Sequence, residues 1–437
     1  MTAHVTSDRA AEHRSRPEEA VAKATVFALF VAIILGLGNT PAILALQLSL
    51  LLVLTSFVLK DAIIRNFRIS PNYGSLSLLF FIVSSAIVST FVSYSDSTYE
   101  LSVQLKYTMT LLSTLYVVWI FYHCVSNGLL EESFVIKAAI YAFMVYSVAK
   151  IVANTLIALE VVQIALLDSA IRQTLGTTFV RSSLIFGLIR INLPPDFGIP
   201  IIIFCVLTAP KLKIHLPRFV RIACLILMLL SVVFAYSRFI WAATFLSALF
   251  STLIVGRRLL VTFAVMTALI IGAAATSQAI IDAVENRFFS AAVERSDSIR
   301  ENQQFALMES VVQTPLLGKG LATYVPWLVR SKNSPYSYEL QILATAMQFG
   351  LIGLLPIIVL LMSLIPLIRS RDTLVFTAIV MTYCAWVATG LTNPSLIGRS
   401  AAMVFVVFIC LARLSPRLDI SPGTGPVSTA ATGPGPG

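Results

Sequence analysis

Charge is the first thing this chain lacks. Only 12% of its 437 residues are Asp, Glu, Lys or Arg, against 57% hydrophobic residues. That balance, with a mean hydropathy of +0.88, excludes a soluble globular protein and describes an all-α polytopic membrane protein. Histidine is scarce too: His4, His13, His123 and His215 are the whole supply. The five cysteines lie in apolar runs without metal-ligand spacing, which excludes a disulfide framework and a cysteine metal site and leaves them as small core residues. No basic helix or compact polar domain is present, so the net charge of +10 does not indicate nucleic-acid binding. A repeat of long period is also missing.

What is there is a series of apolar runs. A membrane crossing needs about 20 apolar residues. On that rule about twelve transmembrane helices are expected, at 21–38, 41–59, 74–94, 103–125, 134–157, 184–209, 219–236, 239–255, 259–281, 338–368, 374–391 and 399–414. Residues 1–20 read as a polar cytoplasmic tail, 21–414 as the transmembrane domain, and 415–437, rich in Pro, Gly, Ser, Thr and Ala, as a disordered cytoplasmic tail. The first run lacks a convincing cleavage site and reads as an uncleaved span. With the N-terminus inside, Lys60, Arg65, Arg68, Lys211, Lys213, Arg218, Arg221, Arg257, Arg258, Arg369, Arg371, Arg413 and Arg417 fall on inner connections, as the bias of basic residues toward the cytoplasm requires. Two outer loops, 168–195 and 282–337, carry arginines although topology does not ask for them. The second is a large loop between helices 9 and 10. The run after Tyr338 is too long for one upright crossing, which predicts a kink at Pro356 and Pro366 or first turns standing above the membrane.

The outer side is therefore where chemistry is expected, and no histidine falls there. A carboxylate would have to act as the base. Arg172, Arg181, Arg287, Arg295 and Arg300, with Lys319, supply cations for a phosphate-bearing substrate, since a guanidinium forks onto phosphate oxygens. Arg238 is the sharpest case, because Ser237-Arg238 is the whole turn between two spans; it reads as a diphosphate clamp or as a snorkelling interfacial arginine. Arg287, Arg295 and Arg300 have a second reading, pairing with Glu285, Glu294, Asp297 and Glu301. Pro315-Leu316-Leu317-Gly318-Lys319-Gly320 lacks the spacing of a nucleotide-binding loop and reads as a tight turn presenting backbone N–H groups and Lys319. Tyr324, Trp327, Tyr336 and Tyr338 fit an interfacial belt or a platform for sugar rings.

These features together resemble the bacterial O-antigen ligase/polymerase superfamily, over roughly Leu175 to Arg413. The resemblance rests on Ser237-Arg238, the arginine-bearing loop, Pro315-x-x-Gly318-x-Gly320, and Gly350-x-x-Gly353. Ligases of this family carry a histidine where counting back from Gly350 finds Glu339, and an amide where it finds Leu340. Those departures favour the polymerase branch. The resemblance implies a GT-C-like fold and a metal-independent, inverting glycosyltransferase at the periplasmic face of the bacterial inner membrane, with no cofactor. The donor would be an undecaprenyl-diphosphate-linked glycan, and the product O-antigen or exopolysaccharide. A flippase and a chain-length regulator are the implied partners beside the lipid bilayer. Glu339 and Arg238 become the catalytic candidates, and Arg172, Arg181, Arg287, Arg295, Arg300, Lys319, Tyr336 and Tyr338 the substrate-binding ones. Glu339 has a plainer alternative, an ion pair with an arginine such as Arg330. Ligation to lipid A–core, and glycan transport using Lys106, Lys150 and Glu160, are the competing functions.

The topology has a direct test. An alkaline phosphatase fused at Ser298 should be active and one fused at Lys213 silent; equal activity at both would overturn the assignment.

Overall fold

A computed structural model of the chain describes residues 16–35, 41–64, 100–165, 189–257, 291–329, 335–368, 372–391 and 396–418, with isolated positions such as Ser89 and Ser370. Among the described residues every regular element is a helix, and none is a β-strand. The α-helices are α1 (Arg16–Leu35), α2 (Pro41–Ile64), α3 (Leu101–Ser126), α4 (Glu132–Ala158), α5 (Ile199–Thr208), α6 (Arg218–Ala235), α7 (Arg238–Val255), α8 (Ala291–Gln313), α9 (Gln341–Ser363), α10 (Thr373–Val387) and α11 (Arg399–Leu418). Seven described helices are long and apolar enough to cross a membrane: α2, α3, α4, α6, α7, α9 and α10. Each coincides with an expected span. The expected spans at 74–94 and 259–281 lie almost wholly outside the described residues.

Two helices are buried on all sides, and they form the centre. In α5 every residue but Leu207 is buried, and in α11 so is nearly every residue from Ala401 to Ala412. A helix that is apolar all round has no solvated face and must be enclosed. Helices α3, α4 and α7 pack around this pair, and α1 packs on α4. Four cysteines are core residues as expected, but Cys384 is exposed on α10.

The expected span at 184–209 is corrected. Residues 189–193 are extended, and Ile191 N–H donates to Phe234 O at 3.0 Å. Helix begins only at the turn Pro194–Gly198 and runs into α5, giving a short apolar element, Pro194–Thr208. The reason is Asp196. Its carboxylate accepts from Lys150 Nζ at 2.7 Å, Tyr146 hydroxyl at 3.0 Å and Leu193 N–H at 2.8 Å, with no exposed surface. A buried carboxylate is tolerated only with such partners, and they fix where the helix starts.

The expected kink is also relocated. Helix α9 is broken at Gly350 (φ 61°, ψ −171°), while Pro356 is accommodated within the helix. An unbroken helix would bond the N–H groups of Leu351 and Ile352 to the carbonyls of Met347 and Gln348. Instead Leu351 N–H donates to Pro315 O at 2.9 Å and Ile352 N–H to Leu316 O at 3.2 Å. The vacated carbonyls of Met347 and Gln348 accept from Lys319 N–H at 2.8 Å and Gly320 N–H at 3.0 Å. Four main-chain bonds to the turn at 315–320 thus replace two lost helix bonds. Broken helices at membrane depth persist only where protein satisfies the freed groups in this way.

The approach is close enough to demand glycine twice. A Cβ at Gly350 would lie 2.2 Å from Leu316 O, and one at Gly318 would lie 2.5 Å from Gln348 O. Gly128 also has a positive φ (66°), but nothing lies within 4 Å of its Cβ position. Gly128→Ala should therefore cost only the strain, about 1 kcal/mol. Gly350→Ala should lower thermal stability in detergent far more, or abolish folded protein. Equal losses for the two variants would show that the turn does not hold the break.

Candidate functional site

The site is built on the turn between α6 and α7. Helix α6 ends at Ala235, Tyr236 takes the left-handed conformation (φ 46°, ψ 46°), Ser237 holds the N-cap position without a side-chain cap bond, and α7 opens at Arg238. Trp241, one turn on, stands edge-on to Tyr236 (ring centroids 5.5 Å apart) and donates its indole N–H to Val232 O at 3.0 Å. From the other side Arg190 Nε donates to Ala235 O at 3.3 Å. Below it Lys150 Nζ donates to Ser231 O at 2.9 Å while paired with Asp196. The position of Arg238 is thus set by side chains from α4, α7 and the extended segment.

Arg238 does not stand alone. Its Nη2 lies 3.3 Å from Asp297 Oδ1 on α8; the same oxygen accepts from Arg300 Nη1 at 2.8 Å; and Arg300 Nε donates to Glu339 Oε2 at 2.6 Å. Gln303, one turn beyond Arg300, accepts from Glu339 N–H at 3.1 Å. The four charged side chains retain 20–51% of their surface. Pairs this exposed contribute about 0–1 kcal/mol each, so the network does not hold the fold together. It gathers two guanidinium groups and two carboxylates at one accessible place.

The other candidates divide. Tyr336 packs against Tyr107 of α3, ring centroids 4.4 Å apart, next to the network in sequence. Tyr338 is 1% exposed, packed with Leu307, Val325 and Met347, and its hydroxyl accepts from Val325 N–H at 2.7 Å, so it faces the interior. Lys319 reaches back to Gln313 Oε1 at 2.8 Å and Ser310 Oγ at 3.5 Å, capping the last turns of α8 away from the four-residue network. The turn at 315–320 offers its N–H groups at Lys319 and Gly320 to α9, not outward. Arg295 lies on the first turns of α8. Arg172, Arg181, Arg287 and Arg330 lie outside the described residues. Sequence reading passed over Gln303 and Tyr107. Gln303 had a signal: it shares the helical face of Arg300, Ala306 and Leu307.

Residues 223–358 match a family model described as O-antigen ligase. The matched stretch opens within α6 and closes just beyond the break in α9. It therefore contains Arg238, Asp297, Arg300, Glu339 and both glycines of the lock. No curated protein matches the chain.

The Lys150–Asp196 pair beneath the Arg238 turn is 1% and 0% exposed. Removing one partner of such a pair strands the other charge and costs about 3–5 kcal/mol. Lys150→Met should accordingly depress the melting temperature in detergent strongly, and adding Asp196→Asn to it should restore part of the loss. A double variant no more stable than the single one would mean the two residues do not act as a pair.

Proposed function

The segment 223–358 is a match to the O-antigen ligase family, and from that premise we propose that the chain is a membrane glycosyltransferase that extends lipid-linked glycans. In this reading it polymerises undecaprenyl-diphosphate-linked repeat units into O-antigen or exopolysaccharide at the periplasmic face of the bacterial inner membrane. The observation that carries the proposal is the chain of ion pairs Arg238–Asp297–Arg300–Glu339.

The chemistry follows from what those groups do. The acceptor sugar hydroxyl attacks the anomeric carbon of the donor from the face opposite the diphosphate, and the carbon–oxygen bond to the diphosphate breaks. Configuration at that carbon inverts. Negative charge develops on the departing undecaprenyl diphosphate, where Arg238 and Arg300 can take it bidentately. At rest both guanidinium groups are bonded to Asp297, and Arg300 also to Glu339. A diphosphate that draws Arg300 toward itself would weaken that guanidinium's hold on the Glu339 carboxylate, making it a better acceptor for the hydroxyl proton. The step needs no metal. Tyr107 and Tyr336 offer an aromatic surface on which a sugar ring could stack.

Ligation of glycan to lipid A–core is the second reading, favoured by the description of the matching family. It shares the donor and the arginines and differs in the acceptor. Glu339 and Leu340, at positions where ligases carry a histidine and an amide, favour polymerisation.

Purified protein given lipid-linked repeat units should elongate them. Glu339→Gln should slow elongation by about 100- to 10,000-fold, the usual range for general-base help, while Glu339→Asp keeps part of the rate. Arg238→Lys retains charge but loses the fork and should remove most activity with protein level unchanged. A Glu339→Gln rate within about threefold of wild type would rule out the base role. Transfer only to lipid A–core would favour the ligase.

A further inference from the structure

Helix α8 has a side that its packing on α9 does not use. Gln303, Ala306, Leu307 and Ser310 are buried. On the opposite face Phe305, Met308 and Val312 are 71%, 47% and 72% exposed, and Leu316 and Leu317 continue them at 59% and 60%. The spacing i, i+3, i+7 puts the first three in one line along the helix. Large apolar side chains in a continuous exposed stripe call for a partner.

The backbone sets the level of that stripe. Leu316 O and Pro315 O are bonded to the N–H groups of Ile352 and Leu351, so Leu316 and Leu317 stand beside those two residues. Leu351, Ile352 and Leu355 are themselves 46%, 47% and 56% exposed and belong to the apolar span Gln341–Leu367. The part of that span after Gly350 is roughly 17 residues, about 25 Å of helix, against a hydrocarbon core of about 30 Å. It takes up most of one crossing, which leaves Leu351 and Ile352 near the hydrocarbon edge at the Arg238 end. Helix α8 arrives there running parallel to the first half of α9, with Gln303 opposite Glu339 and Leu316 opposite Ile352.

We infer that the lower part of this outward stripe, from Val312 to Leu317, is seated among the acyl chains of the leaflet at the Arg238 end, with Met308 and Phe305 above it at headgroup depth. That part is continuous with the lipid-facing surface of α9, and the exposed Glu309 stands about two turns above Leu316, where headgroups would begin. The long loop is then a membrane-seated element. The inference concerns where α8 lies and does not depend on the reaction proposed above.

The test places a bimane label on Val312→Cys, Leu316→Cys or, as control, Asn302→Cys in a Cys384→Ser background. The described native cysteines that remain are buried, and all three label positions are exposed. Full-length protein is reconstituted in vesicles of phosphatidylethanolamine and phosphatidylglycerol containing phospholipids with a nitroxide on the acyl chain. The labels at 312 and 316 should be quenched several-fold more by the nitroxide lipid than the label at 302, and aqueous iodide should show the reverse order. Iodide quenching at 312 and 316 equal to that at 302 would place the stripe in water. Shielding from both quenchers would mean that protein covers it, a second copy included. Either result overturns the inference, and each label position reads the level independently if the other variant fails to fold.

Discussion

The main-chain lock between the turn at 315–320 and the break in α9 is the constraint on which the rest of the site depends. It closes the long connection between α7 and α9 onto the membrane helices by four backbone hydrogen bonds and two glycine contacts. An N–H or carbonyl left unpaired away from water would cost about 1–3 kcal/mol. Because the lock fixes the end of α8 against α9, the earlier part of α8 must run beside the earlier part of α9. That places Gln303 against Glu339 and Arg300 within reach of its carboxylate.

The charged network above it has the opposite character. Its members are part-exposed, and one aspartate oxygen is shared by two arginines. Such an arrangement is cheap to rearrange, as the proposed reaction would require. The rigid half of the site lies below: Trp241, Arg190 and the Lys150–Asp196 pair fix the helix end from which Arg238 projects. The network thus sets movable charges on a fixed turn.

Much of this was legible in the residues, though not all. The Ser237-Arg238 turn was visible because two long apolar runs leave no other room. The importance of Pro315-x-x-Gly318-x-Gly320 and Gly350 was visible, but not that they bind each other: nothing local says a glycine in an apolar helix will break it while the nearby Pro356 will not. Glu339 was read as a base, or as the partner of an arginine such as Arg330, which lies outside the described residues. Among the described residues it pairs with Arg300, brought to it by the parallel register of α8 and α9, a tertiary fact. Lys319 was read as a substrate cation from its place in a loop; in space its ammonium bonds the side-chain oxygens of Gln313 and Ser310 on the last turn of α8, a contact the sequence does not announce. The short α5 was hidden for a similar reason, since the partner of Asp196 lies on another helix.

The lock reads main-chain atoms only. Pro315 and Leu316 contribute carbonyls that any residue could supply, and Lys319 an N–H that any residue except proline could supply; the side chains of Leu316 and Leu317 are exposed and take no part. Gly318 and Gly350 therefore act as fixed hardware, while the side chains at 316 and 317 stay open to drift. An ancestral chain could exchange the outward residues of this turn, and with them the surface it presents, without undoing the fold beneath.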